Sequence, residues 1–217
     1  MASITRLEPE PRWPSAVALL ASAGLHYSLP SYLTPGPDWI MLVVVGVVVL
    51  LSVTAHAMNY DRVARFGGFF ANTLITISLV MAVVLLVYGL PSKRVQPQQL
   101  LIAAIAIWSS NVLVFASWYW RLDAGGPGQR ESRETHTKGA FLFPQMAIDP
   151  VLRDELGWKY WRPGFVDYVF VAFNTSTAFS PTDVPVLSRW AKAIMMVQSS
   201  ISLSTLAILA ARAINIL

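Results

Sequence analysis

Between Trp39 and Met58 the chain runs through twenty residues without an Asp, Glu, Lys or Arg. As a helix, such a stretch covers about 30 Å, the thickness of a bilayer's hydrocarbon core. Five more apolar blocks accompany it, at 13–29, 68–90, 99–118, 164–179 and 190–217. One soluble core does not account for so many. Of the 217 residues 55% are hydrophobic and only 13% charged, about half the charged share of an ordinary soluble domain. Backbone groups in hydrocarbon must pair within a helix or around a closed barrel. Barrel strands alternate over segments of about ten residues, and these blocks do not alternate. The expectation is an all-α, polytopic membrane protein: one integral-membrane domain over residues 1–217, with about six transmembrane helices.

Punctuation between the blocks agrees. Pro35-Gly36-Pro37 separates the first two, Gly67-Gly68 precedes the third, and Pro91 closes it. Arg6, Arg12 and Ala21-Ser22-Ala23 resemble a cleavable leader, but Glu8, Pro9, Glu10, Pro11 and Pro14 make a poor basic region, so a short first span is the better reading. Most tryptophans sit at block ends, as an interfacial belt would have them; Trp118-Tyr119-Trp120 closes the fourth block and mid-span Trp108 is the exception. The polar region 121–162 holds seven of the sixteen Lys and Arg residues. Disorder is expected near Gly125 to Thr137, and surface association near Val151 to Trp161.

The net charge of +4 lies in the loops, so it orients the chain in a bilayer rather than marking a nucleic-acid binder. If all six blocks span with the N-terminus inside, twelve of the sixteen basic residues are cytoplasmic. Both termini then lie in the cytoplasm and the Ser180 to Asp183 turn faces outward. A second threading makes block 164–179 a re-entrant half-helix. Keeping the last helix running inward would then put the basic loop outside, so charge favours six spans.

Polar residues inside these blocks are the candidate functional groups. Gln198, Ser202 and Thr205, spaced four and three, share one face of the last helix. They either line an aqueous path or bond neighbouring helices. Asn174, Thr175, Ser176, Thr177, Ser180 and Thr182 form the densest hydroxyl and amide group, with Asp183 beyond it. These oxygens either replace part of an ion's hydration shell or make an ordinary turn and cap. Asp167 reads as an interfacial partner of Arg162, and Asn72, Thr76 and Asn111 as helix-to-helix hydrogen bonders. His26, His56 and His136 have no ligand spacing, there is no cysteine, and no nucleophile–base pair stands out. No cofactor, metal or enzymatic activity is expected.

Trp108-Ser109, Trp118-Tyr119-Trp120, Phe141-Leu142-Phe143-Pro144, Asp167-Tyr168-Val169-Phe170, Ser180 to Asp183, Ser188-Arg189 and Ala207 to Ala210 resemble the pattern of an uncharacterised bacterial integral-membrane family, domain of unknown function 1345. The likeness covers roughly 101–217. It implies a bacterial inner-membrane protein and supplies no chemistry. Thr177, Asp183, Val184 and Pro185 more loosely resemble the pore hairpin of tetrameric potassium channels, which implies a homo-oligomer, a tetramer, passing a monovalent cation. Thr177 to Asp183 has no glycine and contains Pro181, and a carbonyl-lined filter needs glycine geometry. Potassium selectivity is not supported. Two functions remain: conduction of an ion or small solute past Thr177, Ser180, Thr182 and Asp183, then Gln198, Ser202 and Thr205; or a non-transporting interaction or scaffold protein held in the lipid bilayer.

Overall fold

The computed structural model describes residues 10–34, 36–89, 97–133, 136–177 and 183–214. The fold is all-α: the described residues hold nine α-helices and no strand, with one isolated bridge between Phe141 and Val186. In chain order the helices are α1 (Trp13–Tyr27), α2 (Trp39–Ala57), α3 (Asp61–Gly89), α4 (Pro97–Leu122), α5 (Pro127–Glu131), α6 (Pro144–Ala147), α7 (Pro150–Glu155), α8 (Phe165–Thr177) and α9 (Arg189–Ile214). Four of them, α2, α3, α4 and α9, are long and apolar enough to cross a membrane. That corrects the expectation of six. With 15 and 13 residues, α1 and α8 extend only about 22 and 20 Å. Ser28, capping back onto Leu25 and His26 just before Pro30, stops the first; Pro163-Gly164 delays the start of the second.

The third block also begins earlier than expected, at Asp61 rather than Gly68. Its charges do not stop a helix of 29 residues, about 43 Å long, because Asp61, Arg62 and Arg65 in its first two turns are exposed rather than packed against neighbouring helices. The link from α2 is tight. Tyr60 N bonds Ala55 O at 2.8 Å and Asn59 takes a φ of 62°, the left-handed conformation that asparagine tolerates at a helix end.

Helix α4 is the axis of the bundle. Ala103, Ala106, Ile107, Asn111, Val114, Phe115, Ser117 and Tyr119 are all buried on it, and α1, α3, α8 and α9 pack around it. Small residues at these positions let neighbouring backbones come close. By contrast α2 buries only Val45 and Val49 and half-buries Val48, its other valines and its leucines facing outward, as suits a helix in contact with lipid. Tyr119 and Trp120 belong to the core rather than to an interfacial belt, being almost fully buried.

Hydrogen bonds fix which ends lie together. Arg12, before α1, meets His56 of α2 at 3.0 Å and Asp61 of α3 at 3.2 Å, and Ser15 meets Ser117 of α4 at 3.0 Å. At the other end His26 of α1 lies 3.3 Å from Ser78, seventeen residues along α3 from Asp61, a rise of about 26 Å. Thus α1 joins the two ends despite its length, continued by buried Leu29 and Leu33.

Helix α8 does not. Tyr168, in its first turn, bonds Asp123 just past α4, whereas Ser176, in its last, meets Asn111 twelve residues back along α4. The chain then returns: Leu142 N bonds Pro185 O at 2.9 Å, Leu187 N bonds Ala140 O at 2.7 Å, and Trp190 packs on Phe141. From there α9 descends beside α8, in the same direction, to bring Gln198 level with Asn111. The start of α8 and the start of α9 therefore lie at the same end of the bundle. Asp183 lies toward the end that carries the basic loop, not the opposite one, which is the re-entrant threading.

The polar region 121–162 is a clamp, where disorder was expected near Gly125 to Thr137. Buried Arg130 donates to the carbonyls of Trp120 in the last turn of α4 (2.7 Å) and of Asp123 just past it (2.8 Å), and pairs with Glu10 at 2.9 Å. Carbonyls in the last turn have no partner within a helix, so this guanidinium acts as their cap. The buried Asp123 carboxylate accepts from Ala140 N and from Tyr168 OH (2.7 Å), with His136 Nε2 3.0 Å away. Residues 134–135 lie outside the described residues. Beyond the clamp, Val151, Leu152, Leu156 and Tyr160 are exposed around α7, whose Asp149 cap accepts from Val151 N at 2.9 Å.

Candidate functional site

Two places in the bundle bring chemistry together. The first is a polar cluster where α4, α8 and α9 meet, with Gln198 at its centre. Its amide nitrogen donates to Ala172 O and to Ser176 Oγ, both at 2.7 Å, and its oxygen accepts from Tyr119 OH. Asn111 Nδ2 donates to Gln198 O at 3.1 Å and Ser202 Oγ at 2.7 Å, while its Oδ1 has no partner among the described residues. A glutamine amide offers two donors and an acceptor, and here each is used. Gln198, Ser202, Ser176 and Asn111 are at most 1% exposed.

The residues singled out in the sequence divide accordingly. Gln198 and Ser202 are in this cluster. Thr205 is buried on the same face one turn on, but its hydroxyl bonds Ile201 O of its own helix at 2.8 Å. Thr177 likewise turns back to Asn174 O at 3.0 Å. Asp183 is exposed. Ser180 and Thr182 lie outside the described residues. Asn111 and Ser176 complete the cluster, although the sequence places them in different blocks with nothing to join them. Thr76 accepts from Trp118 Nε1 at 2.9 Å, a second bond between helices. Asp167 accepts from Gly164 N at 2.7 Å and so caps α8, in place of the expected pairing with Arg162.

The second place is a cavity of about 660 Å³ at the basic end, enclosed by the first turns of α1 and α3, the last turns of α2 and α4, and the 125–129 segment. Its deeper wall is apolar, with Ala16, Leu19, Val49 and Phe69; its rim carries Arg12, Arg65, Arg121, His56 and Asp61. Arg121 is held inward by Ser117 Oγ at 3.3 Å and Ser15 Oγ at 3.1 Å. Gly68 makes room for it, since a β-carbon there would stand 2.0 Å from Arg121 Nη1. Gly126 closes the turn above with a φ of 89°, where a β-carbon would sit 2.7 Å from Arg121 O. Gly126 demands glycine by contact with backbone and by conformation, whereas a side chain at Gly68 would displace only the flexible guanidinium of Arg121.

Sequence reasoning used Arg12, Arg65 and Arg121 only to orient the chain. They are 53 and 56 residues apart, and only the packing makes one rim of them. The available signal was the Gly67-Gly68 pair beside an arginine closing an apolar helix. Among the described residues no group of three or more His, Asp or Glu side chains is placed to hold a metal ion. Comparison of the chain with protein-family models, with curated proteins and with solved structures finds no match.

Proposed function

We propose that this chain is a non-transporting interaction protein of the membrane, and that the polar seam of α9 fastens helices rather than lining a path for ions. One observation carries the reading: Gln198 and Ser202 spend their hydrogen bonds on α4 and α8 of the same protomer. A pore wall needs polar groups turned toward water, and these are turned away from it. Buried amides and hydroxyls between membrane helices commonly act in this way. No catalytic step is assigned, and the partner is the bilayer itself.

In this reading the basic end faces the cytoplasm, as the excess of Lys and Arg there favours. The N-terminus and the turn at Asp183 then lie inside, and the C-terminus on the other side. The last two points depart from the six-span expectation, because α9 begins at the same end as α8.

Conduction is the second reading, and the re-entrant path of α8 favours it, since pore hairpins also enter and return on one side. Flux in proteoliposomes distinguishes the two. Wild-type protein is expected to pass monovalent cations and anions no faster than protein-free vesicles, with Asp183→Asn and Ser202→Ala unchanged. Cation flux that falls on Asp183→Asn would overturn the interaction reading.

A further inference from the structure

The cavity at the basic end is amphipathic in a particular order. Its acidic groups are already taken: Glu10 by Arg130 at 2.9 Å, and Asp61 by Arg12 at 3.2 Å and His56 at 2.9 Å. Among the described residues no carboxylate lies within 4.0 Å of the Arg65 or Arg121 guanidinium. Arg121 is therefore a cation held at the end of an apolar helix by two hydroxyls and the face of the Trp120 ring, 5.5 Å from its centroid, without a counter-charge among the described residues. Taking a charge from water without a counter-charge is costly, which favours an anion brought by something else.

The apolar wall says what else that partner carries. Leu19 and Val49 continue the cavity away from the arginines, and Val53, which also lines it, is 53% exposed on the outward face of α2. The cavity thus opens toward the lipid-facing side of the bundle. A free anion uses the rim and leaves this wall unused.

We infer that the cavity binds one anionic phospholipid from the surrounding bilayer, its phosphate between Arg12 and Arg121 and the start of an acyl chain along Leu19, Val49 and Val53. Guanidinium groups suit a phosphate because they present paired donors, and basic pockets between membrane helices hold acidic headgroups. The inference goes beyond the proposed function and stands whether or not the hairpin conducts.

Native mass spectrometry of the full chain, released from nanodiscs of equal phosphatidylglycerol and phosphatidylcholine, tests it. One retained phosphatidylglycerol per chain is expected, in preference to phosphatidylcholine. Arg121→Gln should reduce that preference about fivefold, the worth of one arginine near an anionic lipid. Gly68→Ala should reduce it too: it keeps every charge, suits a helix, and moves only the guanidinium. Lys159→Gln, an exposed residue at the same end paired with Asp154, should leave the preference intact. Inorganic phosphate at millimolar concentration should not displace the lipid. Equal retention of both lipids, an unchanged preference in folded Gly68→Ala and Arg121→Gln, or displacement by inorganic phosphate would each overturn the inference.

Discussion

Single residues decide how this chain handles polar groups where water is scarce. Arg130 shows the logic most plainly. Its guanidinium covers two carbonyls at the end of α4 and pairs with Glu10, 120 residues earlier in the chain. Removing one member of a buried pair leaves the other charge uncompensated, at a cost of about 3–5 kcal/mol. Arg130→Met is accordingly expected to lower stability by that amount in a denaturant titration in detergent. Adding Glu10→Gln to Arg130→Met should recover part of the loss; a double variant no better than the single one would show that the carbonyl cap alone matters. None of this was legible from composition. A charged, glycine-rich run reads as disorder because its partners are distant in sequence, and burial of Arg130 depends on Glu10 being brought to it. Gln198 was legible as a member of a polar face, since helical spacing needs no tertiary knowledge. Whether that face meets water or Asn111 is set by packing alone.

At the scale of elements, length and hydropathy gave α2, α3, α4 and α9 directly, because an uninterrupted apolar run has few alternatives in lipid. What they could not give was the direction of block 164–179. Thirteen helical residues, a start fixed by Pro163-Gly164, and a return held by the bridge from Phe141 to Val186 make it a half-helix. Charge counting preferred a crossing, because it held the last helix in its inward direction. The absence of cysteine from the sequence makes the point easy to test. Asp183→Cys and Lys159→Cys should both react with an impermeant maleimide from the same side of sealed vesicles. In intact expressing cells both should be protected, the orientation that the basic end favours. Labelling of the two from opposite sides would restore the full crossing.

The molecule as a whole is a bundle around α4, polarised by its ends. Of the sixteen Lys and Arg residues, twelve in the described segments lie at the end where α4 stops and α8 and α9 begin. The lipid-facing side is apolar and the polar seam is inside it, so the bundle carries its hydrogen-bonding groups where neighbouring helices can use them. On the proposed function this seam is dry. A thiol reacts as its thiolate, and a charged reagent reaches it only through water. Reaction of Ser202→Cys with a small charged methanethiosulfonate, measured in liposomes beside Asp183→Cys, therefore reports whether water reaches the seam. Cys at 183 is expected to react while Cys at 202 stays unmodified until the protein is unfolded. Modification of Cys at 202 in the folded protein, at a rate near that of 183, would place water along the seam and contradict the proposed function.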